Sequence, residues 1–276
     1  MNRRAWLSLR FMLAFFALPF CSHAADSLSV GVVPQFDARH ITRVWQPILE
    51  EISRLSGIAL ELQTSSSIPE FEQQFASGAY DFAYMNPYHA ILAHQKQGYE
   101  PVVRDAGRSL HGIIVVRKDS ALTSVEQLDG ETVAFPAPNA LGASLIPRAE
   151  FASKFGIDIN ENYVKSHSSV YLNVLLGKAA AGGGVQKTLS QQPEEVRAQL
   201  RVLYETIGVA PHPLTAHNRV DTHTRDRIRE AFLKLGRTDA GKDLLKKIPM
   251  KTIGIASIED YESLRKMDLE AFYVGN

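Results

Sequence analysis

Cysteine is nearly absent. The 276 residues hold one, Cys21, and it lies inside the N-terminal leader described below. Without the leader the chain has no disulfide, no thiol nucleophile and no cysteine-ligated metal. An excess of charge is also absent. The chain has 30 basic and 30 acidic side chains, and the leader carries Arg3, Arg4 and Arg10 with no acid, which leaves 27 against 30 and a formal charge of −3. No nucleic-acid or anionic-membrane partner is expected from that balance. The apolar run Phe11 to Phe20 is about half the roughly 20 residues that a spanning helix needs. Catalytic signatures are missing too: there is no Gly-x-Ser-x-Gly, no His-Glu-x-x-His and no Walker loop. His89 and His94 are five apart and do not share a helical face. His212 and His217 flank a proline-rich loop and are of a type that binds metals, but no metal site and no cofactor are expected. Gly182-Gly183-Gly184 lacks the spacing of a dinucleotide fingerprint and reads as a place where the backbone bends.

What is present begins with an export signal: positive charge, the short apolar stretch, then Ser22-His23-Ala24 with small residues where a signal peptidase cuts. Cleavage after Ala24 and a periplasmic location are expected. Phe20 is too bulky for a lipoprotein signal, so lipidation of Cys21 is not. An exported chain without disulfides must be held by a core, and 45% hydrophobic residues suffice for one.

Strand-like and helix-like segments alternate, which predicts an α/β class with mostly parallel sheets. Strands are read at residues 28–33, 58–62 and 80–84, then at 111–117, 132–135, 164–166 and 201–204. Ile41, Val44, Trp45, Ile48, Leu49, Ile52 and Leu55 form an apolar stripe at helical spacing. Ser67-Ile68-Pro69-Glu70 is a capping box, and Pro87 suits the first turn of a helix. Further helices are read near 141–155 and 169–176, and a helical tail at 222–235, 239–246 and 258–271. Two βα series and a returning tail predict two α/β lobes: leader 1–24, first lobe 25–112, second lobe 113–206, and return to the first lobe with C-terminal helices 207–276. Strands near 111–117 and 201–206 would make the crossings.

Ligands of α/β sheets bind beyond the carboxyl ends of strands, and three strand-to-helix junctions stand out. At the first, Asn86 can cap a helix while Tyr84 and Tyr88 bring hydroxyls and aromatic walls. At the second, Asn139, Ala140, Leu141, Gly142, Ala143 and Ser144 open a helix with small residues, so that a ligand can approach backbone N–H groups at a terminus that favours anions. At the third, His167, Ser168 and Ser169 offer an imidazole and hydroxyls. Each also has a plainer reading, as core tyrosine with an ordinary cap, a tight turn, and a structural histidine.

The three junctions, in this order and at these separations, resemble the phosphonate-binding-protein family, the periplasmic receptors of ABC importers for phosphonate, phosphite and related phosphorus anions. The likeness runs from Val30-Gly31-Val32-Val33-Pro34 to the C-terminal helices. It is most specific at Tyr80 to Tyr88, Ile113 to Ser120, Val133 to Arg148 and Ser166-His167-Ser168-Ser169. It implies a periplasmic-binding-protein fold of two α/β lobes on a two-strand hinge, closure on a small anion, no catalysis, and a membrane permease as partner. A monomer is expected, since hinge closure needs no second subunit.

Two departures bear on the ligand. Where the family carries a Ser-Thr-Ser type run for the phosphonate oxygens, this chain has Ala140-Leu141-Gly142. Where the family places an acidic residue after the third helix, Gly177-Lys178-Ala179-Ala180-Ala181 has alanine. A hydrogen bond to a charged group contributes roughly 1.5–3 kcal/mol, so two or three lost hydroxyls would weaken a dianion by orders of magnitude. His167 is a possible charged partner near neutral pH, and His111, close to a crossing, could also face the cleft. The alternatives are a receptor repurposed for another small ligand or for sensing, and an exported hydrolase using His167 with a nearby serine.

Overall fold

The structure, a computed structural model, describes residues 27–248 and 250–275. The expected leader with Cys21 lies outside the described residues.

Leu28–Val32 (β1) buries Val30 and Val32 and runs into helix α1, Ala38–Ser56. The α1 start is capped by Asp37, whose carboxylate accepts from the His40 amide at 2.9 Å. The predicted stripe from Ile41 to Ile52 is the buried face of α1, and Gly57 ends the helix at φ 67°. Leu60–Thr64 (β2) leads to α2, Ile68–Ala76, entered through the Ser67 cap. Phe82–Tyr84 (β3) leads to α3, Pro87–Gln97, entered through the Asn86 cap. Strands Glu100–Asp105 (β4), Leu214–Ala216 (β10) and Ile253–Ile255 (β11) complete the first sheet, in the order β11-β4-β10-β3-β1-β2. Helices Thr222–Leu235 (α8) and Asp239–Leu245 (α9) pack on it beside α1.

The second sheet has the order β7-β6-β8-β5-β9: Asn160–Tyr163, Thr132–Phe135, Ala181–Val185, Gly112–Arg117 and Leu200–Glu205. Its helices are α4, Ile146–Glu150, flanked by π-helical turns Leu141–Leu145 and Phe151–Phe155; α5, His167–Leu175; α6, Gln186–Ser190; and α7, Glu194–Arg197. Each sheet is parallel only towards one edge, β1 with β2 and β3, and β6 with β7 and β8. The pairings of β10 with β3 and β4, of β11 with β4, and of β5 with β8 and β9 are antiparallel. The sheets are therefore mixed rather than mostly parallel as expected, because the two crossings and the returning tail bring strands back in the opposite direction.

The chain crosses between sheets twice, at 106–111 and 206–213. The two crossings pair with each other, Leu110 N to Val209 O at 2.8 Å and Val209 N to Leu110 O at 3.0 Å. This is the two-strand hinge. The strands once expected to form the crossings belong wholly to the second sheet. Around the hinge lies a separate apolar core, in which Tyr88 and Ile91 of the first lobe meet Leu141, Leu145 and Ile146 of the second. Tyr261, Leu264 and Leu269 of the C-terminal segment seal it. That segment is a chain of short turns, Ile258–Tyr261, Glu262–Arg265 (α10) and Leu269–Phe272, rather than the single helix read from sequence.

Other differences are local. The strand placed at 164–166 is Asn160–Tyr163, because Lys165, at φ 74°, breaks the extended backbone there. The Gly182-Gly183-Gly184 run is a central strand, not a bend. A Cβ on Gly183 would overlap the Ala143 carbonyl oxygen, and one on Gly182 would strike Val170. Glycine is needed there for close approach of backbone and helix.

Candidate functional site

The carboxyl ends of β1, β3, β6 and β8 all open towards the gap between the lobes, where two adjoining cavities lie. The larger, about 260 Å³, is lined by Gln35 and Tyr84 of the first lobe, by Arg108 to His111 and His212 of the two crossings, and by Ile113, Val185, Lys187 and Glu205 of the second lobe. The smaller, about 20 Å³, is lined by Asn86, the Ala140 to Ala143 backbone and His167. That is close to the room one water requires. Gln35, Val185 and His212 line both cavities.

Tyr84 is the sharpest feature. Its ring is held by Trp45, with centroids 4.7 Å apart, and stacks on His212 at 5.5 Å. Its hydroxyl is buried without a hydrogen-bond partner among the described residues. Burial raises the phenol well above its ordinary range, so the group stays a donor. An unmet buried hydroxyl costs about 1–3 kcal/mol, which a ligand acceptor would relieve.

The helix start at Ala140 is built by backbone. The amides of Ser144 and Leu145 both donate to Ala140 O, at 2.7 and 3.2 Å, so those of Leu141, Gly142 and Ala143 precede the first intrahelical bonds. A Cβ on Gly112 would overlap the Gly142 carbonyl oxygen, so this turn rests directly on β5. The widened π turn here is of the kind often found at functional sites.

Two imidazoles of the site, His167 and His212, are neutral at pH 7. Burial pushes His167 down to about 4, so it is not the charged partner its residue type suggested. Its Nδ1 lies 3.1 Å from Thr188 Oγ1, which also bonds Tyr171 Oη at 2.7 Å and Val185 O at 2.9 Å. Burial, with His89, Arg108 and His167 nearby, pushes His212 to about 3. Positive charge comes instead from Lys187 and Arg108. Burial, then Arg108 and Lys251, lower the Lys187 ammonium from its ordinary value. Arg108 pairs with Asp105 at 3.1 Å.

Tyr84, Asn86, Ala140, Leu141, Gly142, Ala143 and His167 thus come together at the gap. The other sequence candidates stand elsewhere. Asn139 is absorbed in a buried polar network between the lobes. Its Nδ2 donates to Glu72 Oε2 (3.1 Å) and Val274 O (2.9 Å), and its Oδ1 accepts from Val274 N (2.9 Å). Glu72 in turn meets His89 Nε2 at 2.8 Å, and Asn86 Nδ2 donates to Asn139 O at 3.2 Å. Tyr88 packs edge-on against Tyr273 in the hinge core. Ser144 accepts from buried Arg148 at 3.1 Å. Ser169 bonds the Ser166 cap of α5, and Ser168 is half-buried beside it.

Sequence reading missed Gln35, Arg108, Lys187 and Glu205 and weighed His212 only as a metal ligand; His111, read as close to a crossing and able to face the cleft, lines the larger cavity. Gln35 could have been found as the residue beyond the end of β1. Lys187 follows a strand hidden by its glycines.

Opposite the hinge, two contacts bridge the lobes: Lys187 Nζ to Lys246 O at 2.9 Å, at the C-terminal end of α9, and Gln191 Nε2 to Lys247 O at 3.4 Å. The structure is therefore closed.

Comparison with known proteins agrees with this architecture. A family model described as ABC transporter, phosphonate, periplasmic substrate-binding protein matches residues 30–261. The phosphonates-binding periplasmic protein of Escherichia coli (strain K12) is 19% identical over 268 residues, 90% of this chain and 79% of that protein. A binding-protein component of a phosphonate ABC transporter from Pseudomonas aeruginosa superposes with a TM-score of 0.80 at 16% identity, covering 88% of this chain and 85% of that one. PhnD1 from Prochlorococcus marinus (MIT 9301), solved in complex with methylphosphonate, gives 0.79 at 15% identity, covering 89% and 98%. The chain belongs to the periplasmic substrate-binding proteins of phosphonate ABC transporters.

Proposed function

We propose that the protein captures a small oxyanion, of the phosphonate, phosphite or phosphate kind, by closing its lobes in the periplasm and presenting the closed form to an ABC permease. The observation that carries this reading is the Tyr84 hydroxyl, buried without a partner among the described residues in a side chain that lines a chamber bordered also by Lys187 and Arg108. A ligand oxygen would satisfy that donor, and the two cations would offset its charge. The hinge core supports a pivot, since it can persist while the Lys187 and Gln191 bridges open.

No bond is made or broken in this reading. His167 turns its Nδ1 to Thr188 rather than to an orienting carboxylate. Calorimetry of the purified protein against methylphosphonate, phosphite, phosphate and sulfate tests the proposal. Heat with at least one phosphorus oxyanion is expected. Silence across the panel refutes it.

A further inference from the structure

The segment that seals the hinge core also reaches from one lobe to the other. We propose that residues 272–274 act as a strap that locks the closed form, so that the opening of the lobes, and with it ligand release, is set partly outside the chamber. The proposal rests on the lobe-closure reading above and on no particular ligand.

Three observations carry it. The first is where the strap is fastened. By chain it follows β11 and belongs with the first lobe, yet its backbone is held by the second. Val274 N donates to Asn139 Oδ1 at 2.9 Å, and Val274 O accepts from Asn139 Nδ2 at 2.9 Å. One amide side chain thus pairs with the strap as a neighbouring strand would. Phe272 O accepts from Arg148 Nη2 at 2.8 Å, and the Arg148 guanidinium lies 5.8 Å from the centre of the Phe272 ring.

The second is what meets the other side. Tyr273, between these two holds, packs edge-on against Tyr88 of the first lobe with centroids 5.5 Å apart, and its hydroxyl faces Glu72. Glu72 Oε2 accepts from the same Asn139 Nδ2 at 3.1 Å. A strap fastened to Asn139 and Arg148 on one side and to Tyr88 and Glu72 on the other must release one side before the lobes can turn.

The third is burial. Glu72, Asn139 and Arg148 are 5%, 2% and 6% exposed. Opening therefore takes buried polar groups from partners they hold in the closed form, which is unfavourable. None of the three strap residues lines the ligand cavities, so the lock should act alike whatever the chamber holds.

The experiment is a Val274→Pro variant of the exported protein. It removes the N–H that Asn139 accepts and little else, since Val274 is 53% exposed. Tyr273, at φ −81° and ψ 125°, already has the backbone of a residue before proline. Val274→Ala, which keeps the N–H, is the control. Release of methylphosphonate and of phosphite is timed by stopped flow through the fluorescence of Trp45, whose ring lies 4.7 Å from Tyr84 at the chamber wall. Loss of one hydrogen bond should speed release about two- to tenfold, by the same factor for both ligands. Small-angle scattering without ligand should show a larger radius of gyration, and the control should match its parent. Unchanged release and scattering in the proline variant, even with a lower melting temperature, overturns the proposal. A factor that differs between the two ligands overturns it as well, by placing the strap in the binding site. If neither anion binds, the anion reading falls and ligand-free scattering alone decides the strap. Should Val274→Pro fail to fold, Tyr273→Phe, which removes only the hydroxyl facing Glu72, is judged by the same measurements and outcomes.

Discussion

Replacing Tyr84 by phenylalanine removes one oxygen and leaves the ring between Trp45 and His212. Without ligand the lost hydroxyl has no partner among the described residues. Its removal should therefore leave stability unchanged or raise it by up to the 1–3 kcal/mol that an unmet buried donor costs. For a chain of this size each kcal/mol is about 2–4 °C in melting temperature. With an oxyanion bound, the same change deletes a hydrogen bond to a charged acceptor, about 1.5–3 kcal/mol, or roughly a 10- to 150-fold loss of affinity. Because burial keeps the phenol protonated, the loss should be the same at pH 6 and pH 9. The assay is a melting curve without ligand and a calorimetric titration with methylphosphonate, on both proteins. A variant that melts several degrees lower without ligand shows that the hydroxyl has a structural partner. A variant that binds as tightly as its parent shows that the ligand does not use it. Either result refutes the reasoning.

Asn139→Ala should destabilise the protein by about 2–3 kcal/mol in urea unfolding, since it takes a donor from Glu72 Oε2 and leaves both Val274 backbone groups without their Asn139 partner. A loss of ligand affinity with no loss of stability would return Asn139 to the binding site. Gly112→Ala should cost about 1–3 kcal/mol or more, because its Cβ meets a backbone oxygen that has no room to move; a neutral melting curve would contradict the packing. His167 and His212 are held near 4 and 3, below the ordinary 6.5. The unfolded chain thus binds more protons below pH 6.5, and stability should fall on acidification through that window, by about 2 kcal/mol per imidazole at pH 5. His212→Gln should flatten the urea midpoint between pH 7 and pH 5, and an unchanged slope would exclude its part. Lys187→Met removes a cation from the chamber and the bridge to Lys246 O; oxyanion binding should weaken about tenfold or more, and small-angle scattering without ligand should show a larger radius of gyration.

Long, strongly patterned elements were legible from sequence. The α1 stripe, the Ser67 and Asn86 caps and the α8 helix appear where periodicity and capping chemistry place them. Short elements were not. Strands β10 and β11 have three residues each, too few for alternation to show, and β4 opens on Glu100-Pro101. Strand β8 is three-fifths glycine, a composition that reads as flexible until Ala143 and Val170 are seen against it. The junction rule brought Tyr84, Asn86, the Ala140 turn and His167 to one gap, because it follows from sheet geometry. It could not separate side chains facing the gap from those facing the hinge, so Tyr88 and Asn139 were read alike with Tyr84.

By itself the sequence determined the alternation of two βα series, their two lobes, and the poverty of hydroxyls at Ala140-Leu141-Gly142. These are properties of neighbours along the chain, set by backbone hydrogen bonding and local burial. Tertiary structure alone decided which polar groups stay unsatisfied. Asn139 is spent on Glu72 and Val274, His167 on Thr188, and Tyr84 on no partner among the described residues, because partners far apart in sequence arrive only when the lobes fold and close. The chamber exists for the same reason: Gln35, Arg108, Lys187 and His212 share no local pattern, and only the hinge brings them to one wall.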